Sequence, residues 1–311
     1  MLMRHAIIIE INACRNACLF CARNGRPRKV NPGVLSSVGK HALEQAVELR
    51  HHGIRDVEIS GADPIEYSRL PGLIRILKYK LGFQKISLST HGRNFSSPGY
   101  LREMASAGLS HLRIPLYGPT AAVHDAVTMS PGSFNETVLG LVNIHNHTPK
   151  ISLILTSLLI RPNTLYAQKT FDLMALYADE IRFGLPCVPS RNFEKQHAVD
   201  LPDIRQAARK LLPLAEQFKG TAWLMDIPCC VIGTDHPRLV NHTPPPKTAG
   251  AYTIPGEYRS EVPFTPKYRI KQRLAICGRC RAAGSCDGFY QGYLRVWKTN
   301  TLAPIIAAGI S

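Results

Sequence analysis

The chain has 311 residues, is 45% hydrophobic and 19% charged, and carries 38 Lys and Arg against 22 Asp and Glu, a formal net charge of +16. This is the composition of a soluble globular protein able to bury a large core, with one main domain and an appendage. The opening MLMRHAIIIEINAC breaks its apolar run at Glu10 and Asn12, and no later run reaches spanning length. A signal-peptide core and a membrane span are therefore excluded, and the expected location is the cytoplasm.

HAIIIEIN reads as a first strand, and Ser37 opens a helix through KHALEQAVELRHH, with Leu43 and Val47 on one face and Gly53 as the stop. RDVEISG is the second strand and KISLSTHG the third, followed by a helix over YLREMASAG that ends at Gly108, then by the strand HLRIPLYG. Ser133 and Glu136 suggest a capping box for the helix FNETVLGLVNIHN. The strand KISLILTSLLI, the helix YAQKTFDLMALYA, the strand EIRFGLP, the helix DIRQAARKLLPLAEQF and the strand TAWLMDIP complete the series. About six βα units in succession require parallel strands with helical crossovers, fewer than the eight of a full barrel. The expected fold is α/β, a partial (β/α)6 TIM-like barrel over residues 1–225, with a cysteine-rich extension over 226–311. The stretch 236–269 is rich in Pro and Gly without a period and reads as a long surface loop. The HNH at 145–147 has no nuclease context and reads as surface.

Nine cysteines without an export signal argue for metal or redox duty rather than disulfides. Cys14, Cys18 and Cys21 lie just after the first strand, at the end of the barrel where chemistry gathers. Three thiolates spaced four and three apart can wrap one face of an iron–sulfur cubane, with no fourth ligand nearby in sequence, so one iron stays open. Cys277, Cys280 and Cys286 form a second group, C-x2-C-x5-C, which zinc would suit as well as iron.

The CxxxCxxC of Cys14, Cys18 and Cys21, with Phe20 before the last, resembles the radical S-adenosylmethionine (SAM) superfamily. SGADP is similar to its Gly-Gly-Glu-Pro turn, with Asp63 in place of Glu, and Thr90, His91 and Gly92 are similar to its TNG. HDAVTMSPGSF resembles HDxxRGxxGSF but has Thr128 where Arg is usual, and in IPLYG Pro115 and Tyr117 replace a hydroxyl and a carboxylate. The resemblance implies cofactor contacts at Phe20, Gly61, Ala62, Asp63 and Thr90, with Arg113 and Asn163 as further candidates. It implies reductive cleavage of SAM at the open iron and hydrogen abstraction from a substrate by a 5'-deoxyadenosyl radical.

The tail resembles the SPASM and twitch extensions of the same superfamily, with a single auxiliary [4Fe-4S] cluster on Cys277, Cys280, Cys286 and an upstream cysteine from DIPCCVIG. Cys230 is preferred there and Cys229 is the alternative. Cys187 is expected at the barrel rim as a packed thiol, with a hydrogen-donor role as the other reading.

The positive charge favours an anionic partner: an acidic reductase such as a flavodoxin or ferredoxin, a phosphorylated small molecule, an acidic peptide or RNA. Starting directly at the first strand, without a leader-binding domain, the chain reads as acting on a small natural product or nucleotide-derived molecule ahead of a peptide. With no RNA-binding module or aromatic platform, nucleic acid is not the expected partner, and a tRNA-modifying enzyme is a lesser reading. A non-catalytic iron–sulfur or zinc relay or scaffold is the alternative from another class.

Overall fold

The computed structural model describes residues 6–9, 13–21, 35–148, 150–186, 204–232, 240–241, 271–284, 286, 288–290 and 294. Eight parallel strands form one sheet in sequential order: β1 (Ala6–Ile9), β2 (Asp56–Gly61), β3 (Lys85–Ser89), β4 (His111–Pro115), β5 (Ser152–Leu158), β6 (Glu180–Gly184), β7 (Thr221–Met225) and β8 (Val240–Asn241). The sheet begins at β1 and ends at β8, so among the described residues it is an open, partial barrel of the expected α/β class. The strands read from the sequence supply β1 to β7. The short β8 comes from beyond residue 226, continuing the sheet with Leu224 opposite Val240 and Met225 opposite Asn241.

Helices cover the convex face. They are α1 (Leu35–His51), α2 (Leu70–Tyr79), α3 (Pro98–Ala107), α4 (Ala121–Thr128), α5 (Ser133–His147), α6 (Arg161–Thr164), α7 (Ala167–Ala175), α8 (Ile204–Gln217) and α9 (Cys229–Ile232). Alternation along the strands puts Val57, Ile59, Ile86, Leu88, Leu112, Ile114, Leu153, Leu155, Ile181, Phe183 and Leu224 beneath those helices, all buried in one continuous core. Helix α2 was absent from the elements read above, although Leu70, Leu73, Ile74 and Leu77 are buried at the i, i+3, i+4, i+7 spacing of an amphipathic helix. The core runs on into the C-terminal part through Ile227, Cys229, Val231, Ala282, Phe289 and Tyr290.

The concave face carries charged and polar side chains among apolar ones such as Ile154 and Trp223. Arg113 on β4 reaches across β3 to Glu58 on β2, with Nη1–Oε1 2.8 Å and Nη2–Oε2 2.9 Å. Only a side chain on the concave side can span an intervening strand in this way. Arg182 and Glu180 form a second pair on β6. Ser87, Ser89 and Thr156 share that side by alternation.

The capping box expected for α5 is replaced by another device. Gly132, at φ 82°, precedes the helix, and the carboxylate of Asp125 on α4 serves its first turn. Asp125 accepts from Gly132 N (2.7 Å), Phe134 N (2.8 Å) and Ser133 Oγ (2.7 Å). Burial alone would raise its carboxyl, but these three donors hold it below the ordinary range. Glu136 is thereby left for the site described next. The HNH at 145–147 is exposed, as expected.

Candidate active site

The loop carrying Cys14, Cys18 and Cys21 leaves β1 at the C-terminal end of the sheet, and the backbone fixes its course. Ala13 O accepts from Asp63 N (3.1 Å), while Ala17 N and Leu19 N donate to Thr128 O (2.9 Å) and Val127 O (3.0 Å) at the end of α4. Cys21 N closes a turn on Cys18 O at 2.9 Å. Phe20 packs edge-on to Tyr117, ring centroids 5.2 Å apart, beside Cys18, Val127 and Ile160.

A buried arginine holds the back of this loop. Arg93, 5% exposed, donates to Asn16 Oδ1 (2.9 Å), Ser130 Oγ (2.8 Å), Arg15 O (3.4 Å) and Glu136 Oε2 (2.8 Å). Arg15 adds an ion pair to Glu136 at 2.9 Å. Burial would raise the Glu136 carboxyl, yet Arg93 and Arg15 keep it below its ordinary range. Thr128, where an Arg was expected, is fully buried and bonds Ser133 Oγ at 2.7 Å. The cation beside the loop comes from the end of β3, a role the sequence reading did not assign.

The three thiols share one short loop and act on one another electrostatically. Burial, then the neighbouring Asp63 carboxylate, pushes the Cys14 thiol up to about 12; burial, Cys21 and Cys14 push Cys18 up as well. Tyr117 is fully enclosed and raised by burial and by all three cysteines, so its hydroxyl borders the same pocket. Thiols this reluctant to ionise need adjacent positive charge, which a metal centre supplies, and the donor set suits an iron–sulfur cluster.

The other sequence candidates are placed as follows. Gly61 ends β2, Ala62 follows it, and Asp63 begins the next turn, where Oδ1 accepts from Ile65 N (3.1 Å) and Oδ2 from His91 N (2.8 Å). Thr90 is buried and its Oγ1 accepts from Gly92 N at 3.2 Å. Gly92 lies at φ 80°, and a Cβ there would stand 2.9 Å from Ile114. Arg113 is tied to Glu58 within the barrel. Asn163 is 2% exposed and its amide serves its own turn, accepting from Ile160 N and donating to Leu158 O, both at 2.9 Å. His124 stays neutral: burial lowers it to about 4, and its Nδ1 accepts from Tyr117 N at 3.1 Å. Cys187 lies outside the described residues.

The second thiol group surrounds an apolar cavity lined by Pro228, Cys229, Cys230, Cys277, Cys280, Cys286 and Phe289 among others. Burial and then Cys286, Cys277 and Cys280 push Cys230 up to about 12. Cys229, 2% exposed, is embedded in the main core and lines the same cavity. Lys271 on β9 (Lys271–Gln272) holds this segment to the barrel, 2.5 Å from Asp226 Oδ1 and over the ring of Tyr290 on β10 (Phe289–Tyr290).

A partial parallel barrel with three convergent thiols after its first strand defines a radical SAM architecture. The radical SAM superfamily matches residues 8–171, and the chain belongs to that superfamily of enzymes. Membership implies SAM and a [4Fe-4S] cluster as cofactors. The chain is similar to a GTP 3',8-cyclase of Peptoclostridium acidaminophilum, 31% identical over 104 residues, which span 33% of this chain and only 31% of that protein. The fold is similar to that of anSMEcpe solved with bound AdoMet and a Cp18Cys peptide, with TM-score 0.57 and 10% identity over 96% of this chain and 92% of that one. It is also similar to HydG, a maturase of the [FeFe]-hydrogenase, with TM-score 0.50 and 11% identity over 76% of this chain and 55% of that one. Among the described residues no helix is long and apolar enough to cross a membrane.

Proposed function

We propose that this enzyme reductively cleaves SAM and abstracts hydrogen from a small substrate, nucleotide-derived or natural-product ahead of peptide, with help from an auxiliary [4Fe-4S] cluster. The observation that supports this most is the anchoring of the Cys14–Cys21 loop after β1, through Ala13 O to Asp63 N and through Ala17 N and Leu19 N to the end of α4, which gathers the three thiols beside Tyr117. These three would hold the SAM-cleaving cluster. When bound, it supplies one electron to the sulfonium and so gives access to a 5'-deoxyadenosyl radical.

Around it, Gly61, Ala62, Asp63 and Thr90 would bind and orient SAM from the ends of β2 and β3, with Phe20 and Tyr117 as an apolar wall against water. Arg113 sits deeper, where its pairing to Glu58 keeps a charged floor under the site; Asn163 shapes the turn after β5. Cys230, Cys277, Cys280 and Cys286 would hold the auxiliary cluster in a SPASM- or twitch-like extension over 226–311. Their convergence on one cavity supports that reading. The GTP 3',8-cyclase relative and the net charge of +16 favour a phosphorylated or otherwise anionic substrate. An acidic flavodoxin- or ferredoxin-like donor in the cytoplasm is the matching reductase.

The test is anaerobic reconstitution, reduction with dithionite and chromatography for 5'-deoxyadenosine. The native chain should form it and the Cys14→Ala, Cys18→Ala, Cys21→Ala triple variant should not. Product from the triple variant, or none from a fully loaded native chain, defeats the proposal, the latter in favour of a relay. Deuterium transfer from candidate nucleotides into 5'-deoxyadenosine then identifies the substrate class.

A further inference from the structure

Among the described residues only four side-chain polar atoms are buried without a hydrogen bond, and three are His91 Nε2, Glu66 Oε1 and Tyr100 OH. They belong to one pocket. His91 Nε2 lies 3.1 Å from Asp63 Oδ2 and 3.4 Å from Glu66 Oε1, while Asp63 and Glu66 both act on the Tyr100 hydroxyl. The Cys14 sulfur joins them, since one ligand atom each from Cys14, Asp63 and His91 lie within 4.8 Å of one another.

A Cys, an Asp and a His so close suggest a mononuclear metal site, but the imidazole rules that out. His91 Nδ1 accepts a hydrogen bond from Arg93 N at 3.2 Å, so in the neutral ring the proton sits on Nε2, which has no lone pair to give a cation. His91 is therefore a donor aimed into the pocket. Asp63 Oδ2 is engaged by the His91 backbone N–H at 2.8 Å and lies off the ring's N–H direction. A thiol sulfur is a poor acceptor, whereas a metal-bound thiolate is an anion and a good one.

Resting on the assignment of Cys14 as a cluster ligand, we propose that His91 is a positioning residue: its Nε2–H donates to the Cys14 thiolate and eases one-electron reduction of the cluster. The need is built into the site. Asp63 and Glu66 both disfavour negative charge on Cys14, and the N–H of Asn16, 3.4 Å from Cys14 Sγ, is a second donor to that sulfur. Hydrogen bonds to cluster sulfurs stabilise the reduced, more negative form and raise the potential.

The test uses the full chain labelled with 15N-histidine, reconstituted with iron and sulfide and reduced. Pulsed electron–nuclear double resonance should show a histidine 15N coupling, lost in His91→Phe, and exchangeable deuteron couplings that shrink in that variant to the part the Asn16 N–H supplies. The midpoint potential should fall in that variant. His91→Gln keeps a side-chain N–H and an acceptor for Arg93 N, and should restore the midpoint toward native. A loaded native protein with no histidine coupling, or a loaded His91→Phe protein with native coupling and midpoint, overturns the proposal. Where His91→Phe fails to load, loss of the coupling in labelled His91→Gln assigns the signal to His91, and its persistence overturns the assignment. A protein that takes up no iron overturns the cluster assignment itself, a different and recognisable failure.

Discussion

Replacing Arg93 with Ala should loosen the cysteine loop before it alters anything else. Arg93 makes three bonds of 2.9 Å or shorter, to Asn16 Oδ1, Ser130 Oγ and Glu136 Oε2, inside a site where it is itself 5% exposed. A hydrogen bond to a charged group contributes about 1.5–3 kcal/mol, and orphaning a buried acceptor costs about 1–3 kcal/mol. The Glu136 bond counts for little, because that carboxylate is 36% exposed and keeps Arg15 as a partner. Asn16 and Ser130 then leave a net loss of about 3 kcal/mol. At roughly 2–4 °C per kcal/mol for chains approaching this size, the melting temperature of the reduced, cluster-free protein should fall by about 6–12 °C. Calorimetry measures the fall, and a chelator measures the accompanying faster release of iron from the loaded protein. Arg93→Lys, which can keep one or two of the bonds, should lie between. An Ala variant that melts within about 1 °C of native and releases iron at the native rate would refute the clamp.

Asp125→Ala should cost about 2 kcal/mol by removing the acceptor for three donors at the start of α5, read from urea midpoints at pH 7. Because the Asp125 and Glu136 carboxyls are both held below their ordinary values, their stabilisation is complete above the model-peptide values of 3.8 and 4.5 and is lost as pH falls further. The acid limb of a stability–pH curve should therefore flatten in an Asp125→Asn, Glu136→Gln double variant. Cys230→Ser should lower bound iron from about eight to about four atoms per chain, whereas Cys229→Ser should keep about eight; elemental analysis with sulfide quantitation separates them. Gly288→Ala should also drop the auxiliary iron, because φ there is 86° and a Cβ would clash with the Gln272 carbonyl oxygen.

Strand positions were legible in the sequence because period-two apolar runs such as DVEIS and SLILTSL depend only on local chemistry. The α2 stripe was equally legible and was passed over behind the Pro and Gly at its first turn. The grouping of Cys14, Cys18 and Cys21 was readable because residues four and three apart on one short loop stay neighbours on folding. The Arg93 clamp was not, since it joins residues 78 and 37 positions away, and no local pattern marks such a meeting. Asp125 was noticed as part of a motif, but its capping role needs the α4–α5 turn to bring Gly132 and Phe134 back onto it.

Cys230 belongs to the barrel, while its three companions lie beyond residue 270. Iron shared among all four would act as a rivet between them. By the entropy of closing a segment of 47 positions, it would withhold on the order of 4 kcal/mol from the unfolded chain. Oxygen that strips such iron would then do more than remove an electron carrier: it would slacken the carboxyl-terminal part against the barrel wall, which would still be held by the packing of Ala282, Phe289 and Tyr290 and by the Lys271–Asp226 pair.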